Sequence, residues 1–141
     1  MAQVINTNIS SGLLKFTFTD ADGDVFAYFK MNPADINLAA RCSEVAEYFE
    51  KRSNEVSNNT TVQEMAQYSE ELKEKLDYLL GYRASETLFD GLMSPVTLLP
   101  NGELFAFVVL DKIASAVEPE IKKRKQKMQK AMSKYTDKYS K

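Results

Sequence analysis

A β-hairpin is the strongest structural signal in this sequence, and it occupies residues 13–31. Apolar and polar side chains alternate in its first strand, where the apolar ones are Leu14, Phe16 and Phe18. An Asp-Gly pair at 22–23 predicts the turn, and a β-prone aromatic run follows at 25–29. Because an isolated hairpin is only marginally stable in water, the rest of the chain must cover its apolar face.

Helical patterns fill most of the remaining chain, so the predicted fold class is α+β. Apolar spacing and cap residues predict helices over about residues 33–53, 61–80, 85–90 and 103–118. The predicted N-caps are Asn32, then Thr60 or Thr61, then Ser85, and Gly81 is the predicted end of the second helix. We expect an N-terminal β-hairpin followed by a mainly α-helical bundle of three to four helices, with a long C-terminal helix. Residues 1–121 are expected to form this single domain.

The last predicted helix is apolar nearly all round, which favours a position at the centre of the bundle. Val108 and Val109 are β-branched, so a strand is the alternative for this segment. Pro119 is expected to kink or restart the helix, because proline lacks the backbone N–H that a helix requires. The predicted core residues are Phe16, Phe18, Leu38, Val45, Phe49, Leu72, Leu76, Phe105, Val108 and Ile113.

Residues 122–141 are predicted to form a basic helical arm or tail. This segment carries nine basic side chains and one acidic side chain, whereas residues 1–121 have a net charge of −10. Such asymmetry is typical of an interaction arm. The arm could dock on a protein or on another copy of the chain, bind nucleic acid or a membrane surface, or remain a solvated helix. The candidate partner-binding residues are Lys122, Lys123, Arg124, Lys127, Met128, Met132 and Tyr135.

Nucleic acid is disfavoured as a partner of the arm, and no membrane partner is expected. The arm contains a single arginine, and its tyrosines are not interleaved with the basic residues as a base-stacking platform would require. The acidic body would also repel a polyanion.

The composition disfavours the common kinds of catalytic and metal site. The chain has no histidine and one cysteine, which excludes Ser-His-Asp and Cys-His catalysis and Cys/His zinc sites. Its five glycines are too widely spaced for a phosphate-binding loop. The acidic run at 20–24 resembles the start of a calcium loop, but it lacks the required glycine and glutamate and is interpreted as a hairpin turn. We therefore expect no catalytic residue, no cofactor and no metal, and carboxylate- or lysine-based catalysis is the only enzymatic alternative left.

A reducing cytoplasm is the expected location. Cys42 has no partner for an internal disulfide and is predicted to be a small buried core residue. The N-terminus does not have the pattern of a secretory signal, so secretion is not expected. The longest apolar run, at 104–110, is seven residues, whereas a membrane span requires roughly 20.

Two stretches carry a resemblance to a known family. One is residues 29–39, a strand that runs into an Asn-Pro-capped helix. The other is residues 76–81, which contain Tyr-Leu-Leu-Gly, followed by residues 85–89 with the Leu-Phe pair of the short third helix. Together they resemble small proteins from the tail-gene regions of Gram-positive phages and prophages, which look like tail assembly chaperones. The resemblance implies a helical adaptor in the host cytoplasm that coats the tape-measure protein and helps to recruit tail-tube subunits.

A second function from a different class fits the same composition. A small acidic phage protein without catalytic groups can inhibit or modulate a host protein, for example as an anti-defence factor that mimics the charge of nucleic acid. The expected partners are therefore phage tail proteins or a host protein, and a homo-oligomer is a further expectation.

Overall fold

Two antiparallel strands open the fold. A computed structural model of the chain describes residues 3–9 and 11–139, with side chains described as far as Lys134. Strand β1 spans Leu14–Thr19 and β2 spans Val25–Met31, with Phe16 opposite Phe29. In the turn between them, the Asp20 carboxylate accepts the backbone N–H groups of Asp22 and Asp24 at 2.9 and 3.0 Å. The acidic run is therefore the hairpin turn that the sequence predicted.

A β-bulge turns one aromatic residue of β2 toward the helices. Phe18 pairs with Ala27 and Thr19 pairs with Val25, so Phe26 has no partner on β1. Its ring lies 5.8 Å from that of Phe105, between ring centroids. The extra residue therefore adds a side chain to the core that strict alternation would have placed in solvent.

Helices α1 (Ile36–Ser53) and α2 (Val62–Leu80) run antiparallel along each other. Polar contacts show the direction, because Arg41 donates to the Leu79 carbonyl and Tyr48 donates to the Glu71 carboxylate. Thr61, one of the two predicted caps of α2, forms a capping box with Glu64.

The predicted start of α1 is wrong. Its N-cap is Asp35, whose carboxylate accepts the Asn37 N–H, and the helix begins at Ile36. Asn32 caps nothing because its side chain bonds the Ala34 N–H and the Ser11 carbonyl instead.

Helix α3 is a single turn, Ser85–Leu88, and the predicted serine cap is also wrong. Ala84 occupies the cap position and makes no side-chain bond there. The Ser85 N–H and hydroxyl both donate to the Asp77 carboxylate at 2.7 Å, which ties α3 to α2.

Helix α4 spans Phe105–Tyr139 without interruption, so the strand alternative and the predicted end near residue 118 are both wrong. Pro119 lies inside it, on an exposed position. The carbonyl that loses its helical N–H donor belongs to Ser115, which is also exposed. Water can reach that carbonyl, so the proline does not end the helix. None of the described helices is both long enough and apolar enough to cross a membrane.

The core lies where the hairpin, α1, α2 and α4 meet. Most of the predicted core residues are buried, as is Cys42, but Phe16 and Phe18 are half-buried. Val108 is also half-buried, and its neighbour Val109 is fully buried instead. Every fourth residue from Phe105 faces the body, which places Val109 on the core face and turns Val108 away.

A matched pair of tyrosines between α1 and α2 gives a first prediction. Burial and the hydrogen bond to Glu71 raise the pKa of Tyr48. The hydroxyl of Tyr68 is buried without a hydrogen-bond partner among the described residues. We expect Tyr48→Phe to lower the free energy of unfolding by about 0.5–1.5 kcal/mol and Tyr68→Phe to leave it unchanged or raise it. Urea denaturation of both variants measures this, and a larger loss for Tyr68→Phe would contradict it.

Candidate functional site

The C-terminal half of α4 extends an apolar stripe beyond the body of the protein. Val109, Ile113 and Val117 are buried against the core, and Ile121 is half-buried. The stripe continues at helical spacing into side chains that the body does not cover: Met128 is 55% exposed and Met132 is 65% exposed. One face of α4 is therefore part of the core in the N-terminal half of the helix and exposed to solvent in the C-terminal half.

Arg124 marks the point where this helix leaves the body. Its guanidinium donates to the Ala34 carbonyl, in the turn before α1, at 2.6 Å. All ten residues from Lys125 to Lys134 are exposed. The fifteen residues from 125 to 139 make a helical extension of about 22 Å at 1.5 Å per residue.

A shallow groove of about 390 Å³ lies beside the anchoring arginine. Its walls are partly apolar and partly basic, and they comprise Ala34, Glu120, Lys123, Arg124, Lys127, Met128 and Ala131. A second groove of about 480 Å³ follows the seam between α1 and α4 and includes Cys42, Ile121 and Lys122. Burial raises the pKa of the Cys42 thiol, so this cysteine is not an activated nucleophile.

The described side chains after Ile121 carry charge of one sign. Residues 122–134 include seven basic side chains and no acidic one. An ion pair joins Lys123 to Glu120 at 3.7 Å, between two solvent-accessible side chains, and contributes little to stability. The extension thus presents a methionine stripe flanked by lysines.

The structure brings most of the sequence-predicted residues together. Lys123, Arg124, Lys127 and Met128 line one groove, and Met132 follows one turn later on the same stripe. Lys122 lies toward the seam with α1 instead. The side chain of Tyr135 lies outside the described residues. Sequence reasoning did not identify the Ala34 carbonyl, because only the fold places that turn beside α4.

A third concave surface, also missed by sequence reasoning, lies at the turn end of the hairpin. It measures about 680 Å³ and is mostly apolar, with lining residues Thr19, Asp20, Ala21, Phe26, Leu92, Met93, Leu99, Pro100 and Asn101. Its one carboxylate, on Asp20, is engaged by the turn. Such a cleft can hold an apolar side chain but offers no reactive group.

Metal binding has no candidate among the described residues, where no group of three or more Cys, Asp or Glu side chains is arranged to hold an ion. Comparison with protein-family models, with curated proteins and with solved structures finds no match to this chain.

Proposed function

We propose that the protein is a non-enzymatic adaptor that binds another protein through the C-terminal half of α4. The observation that carries this proposal is the exposed methionine stripe set among seven basic side chains, on a helix that projects from the body. A helix of this kind docks in an apolar groove through residues at i, i+4 and i+7, and its lysines complement an acidic rim. Methionine side chains adapt readily to such grooves.

A protein partner explains the helix better than a nucleic acid does. Phosphate binding needs the lysines alone, whereas Met128 and Met132 would stay exposed to water in such a complex. The body also has a net charge of −10 over residues 1–121, which opposes a polyanion.

The more specific proposal is a tail assembly chaperone that acts in the cytoplasm of a bacterial host. Support comes from the resemblance of residues 29–39, 76–81 and 85–89 to tail-region proteins of Gram-positive phages. The proposed partners are the tape-measure protein and the tail-tube protein of the same phage.

Truncation of the extension tests this proposal. A chain that ends at Lys125 keeps the Arg124 anchor, and the described side chains that it loses, those of residues 126–134, are all exposed. We expect its free energy of unfolding to stay within about 0.5 kcal/mol of the full chain. Binding to the purified tape-measure or tail-tube protein, measured by calorimetry, should weaken at least about 100-fold, which corresponds to two or more lost anchors.

Charge-reversed variants provide the matched control. Lys127→Glu should weaken binding, and the wild-type affinity should fall as salt is added, because exposed charges are screened. Lys112→Glu changes an exposed lysine on the same helix before Pro119 and should have no effect. If neither tail protein binds the full chain, the tail-chaperone proposal is wrong.

Inhibition of a host protein is the competing function, favoured by the strongly acidic body. This function predicts that the acidic body, residues 1–121, and not the basic extension, contacts the partner. A gene located among tail genes supports the chaperone, and a gene in a separate early operon supports the inhibitor.

A further inference from the structure

The two edges of the hairpin differ in how far the rest of the fold covers them. On β2, the Tyr82 hydroxyl accepts the Lys30 N–H at 2.7 Å, and the Thr87 hydroxyl donates to the Tyr28 carbonyl at 2.6 Å. These two bonds cover the outer edge of β2 with residues of α3 and of the turn before it. The backbone groups of Tyr28 and Lys30 therefore face away from β1.

This geometry determines which groups of β1 face outward. Residues of an antiparallel pair alternate between facing each other with their N–H and C=O groups and facing away. Lys15 pairs with Lys30 and Thr17 with Tyr28, so the backbone groups of Lys15 and Thr17 also point outward, on the opposite edge. Among the described residues nothing bonds to them, since the sheet has two strands only. The outer edge of β1 is open.

The apolar face of the hairpin is also incompletely covered near the open edge of β1. Phe29 and Ala27 on β2 are fully buried, whereas their partners on β1, Phe16 and Phe18, are half-buried. Leu14 is 46% exposed. Lys15, the one charge on β1, lies across the solvent face with its ammonium 4.5 Å from the Tyr28 ring centroid. An additional strand at this edge would bury these apolar side chains. Strand β1 contains no proline that would block such pairing.

The chain itself contains a segment suited to that position. Gln3–Ile9 forms neither helix nor strand, and all its side chains are exposed. Four of these seven residues are β-branched, and none is charged. In an extended strand, Ile5, Thr7 and Ile9 would share one face, and the two isoleucines are now 83% and 73% exposed. An uncharged β-prone run of this length is typical of a strand that lacks its sheet.

The residues just before β1 direct this segment away from the open edge of β1 in the same chain. The Asn32 side chain, just beyond β2, donates to the Ser11 carbonyl at 3.1 Å. Gly12 passes beside the same side chain with a φ of 75°, a left-handed conformation that favours glycine. Leu13 lines a groove together with Lys30 and Tyr82, on the covered side of the hairpin. The chain therefore enters β1 from the side opposite the open edge.

We propose that two copies of this chain exchange N-terminal strands, each placing residues 3–9 along the open edge of β1 in the other copy. The outward N–H and C=O groups of Lys15 and Thr17 pair with the incoming strand. Ile5 and Ile9 cover the exposed flanks of Leu14, Phe16 and Phe18. The interface is reciprocal, so it closes as a two-fold dimer. This inference is independent of the proposed function, because it uses neither α4 nor a phage partner.

Analytical ultracentrifugation of the full chain tests the proposal. The wild type should sediment as a dimer at micromolar concentration. Ile5→Asp with Ile9→Asp should raise the dimer dissociation constant at least about 100-fold, because two buried isoleucines per arm become charged. The matched control, Asn6→Asp with Asn8→Asp, adds the same charge on the opposite face and should remain dimeric. A monomeric wild type, or a dimer that survives both isoleucine changes, would overturn the proposal.

Two further measurements locate the contact. In the wild type, the amide hydrogens of Lys15 and Thr17 should exchange slowly, and the isoleucine variant should lose this protection. Thr17→Pro removes an outward N–H without removing a bond to β2, so it blocks the edge alone. A mixture of the Thr17→Pro chain and the isoleucine variant should form a one-to-one heterodimer, because one chain supplies the arm and the other the edge.

The result is separable from the function proposed above. If the dimer persists in the isoleucine variant and disappears on truncation after Lys125, then the extension of α4 makes the dimer and strand exchange is wrong. Binding to the tape-measure or tail-tube protein is measured in a separate experiment, so either proposal can fail without the other.

Discussion

Phe105→Ala is expected to lower the free energy of unfolding by about 3–5 kcal/mol, the cost of an unfilled cavity at a closed core site. The ring of Phe105 is fully buried, and its centroid lies 5.2 to 5.8 Å from those of Phe18, Phe26 and Phe89. One side chain therefore joins both strands of the hairpin to α4 and to the end of α3. Urea denaturation followed by circular dichroism measures the loss.

Phe107 provides the matched control on the same helix. It is half-buried, and among the described side chains its ring contacts one other, that of Phe49, with 5.3 Å between the centroids. Phe107→Ala should lower the free energy of unfolding clearly less than Phe105→Ala does. A loss below about 1 kcal/mol for Phe105→Ala would mean that the hairpin does not depend on α4 for its stability.

Val109→Asp is expected to abolish cooperative folding at 25 °C. Val109 is fully buried, and an unpaired carboxylate at such a position costs several kcal/mol, against a total stability of about 5–15 kcal/mol for a typical domain. Val108→Asp places the same charge one residue earlier, on a half-buried position, and should still fold. Far-ultraviolet circular dichroism and a thermal melt separate the two variants. Equal tolerance of both changes would contradict the assigned face of α4.

Sequence reasoning succeeded where structure depends on near neighbours. The hairpin follows from alternation and an Asp-Gly turn. Helix α2 follows from a threonine cap, predicted at Thr60 or Thr61 and found at Thr61, and from Gly81, whose φ of 82° ends the helix. Each signal spans only a few residues, so it can be recognised without knowledge of the fold.

The errors arise where a distant residue changes the local preference. Asn32 is a good N-cap by type, but Ser11 and the turn before α1 occupy its side chain. Ser85 could cap α3, yet Asp77 on α2 binds it. Val108 and Val109 are chemically identical, and only the packing of α4 decides which is buried.

The candidate sites show the same division. The basic charge and the methionine stripe of the extension are readable from the sequence. Where the extension starts is not, because it depends on the contact between Arg124 and Ala34, ninety residues apart. The open edge of β1 is also invisible in the sequence, since it is defined by the covering of the other edge by Tyr82 and Thr87.

The position of Cys42 gives the chain an internal reporter of helix separation. Cys42 is the one thiol in the chain, it is buried, and it lies in the seam between α1 and α4. A thiol-labelling reagent should react with it mainly when these helices part, so the labelling rate measures the free energy of that opening. A partner that binds across the seam should slow the labelling. A partner that contacts only the extension beyond Arg124 should leave the rate unchanged, which distinguishes the two modes of docking without any substitution.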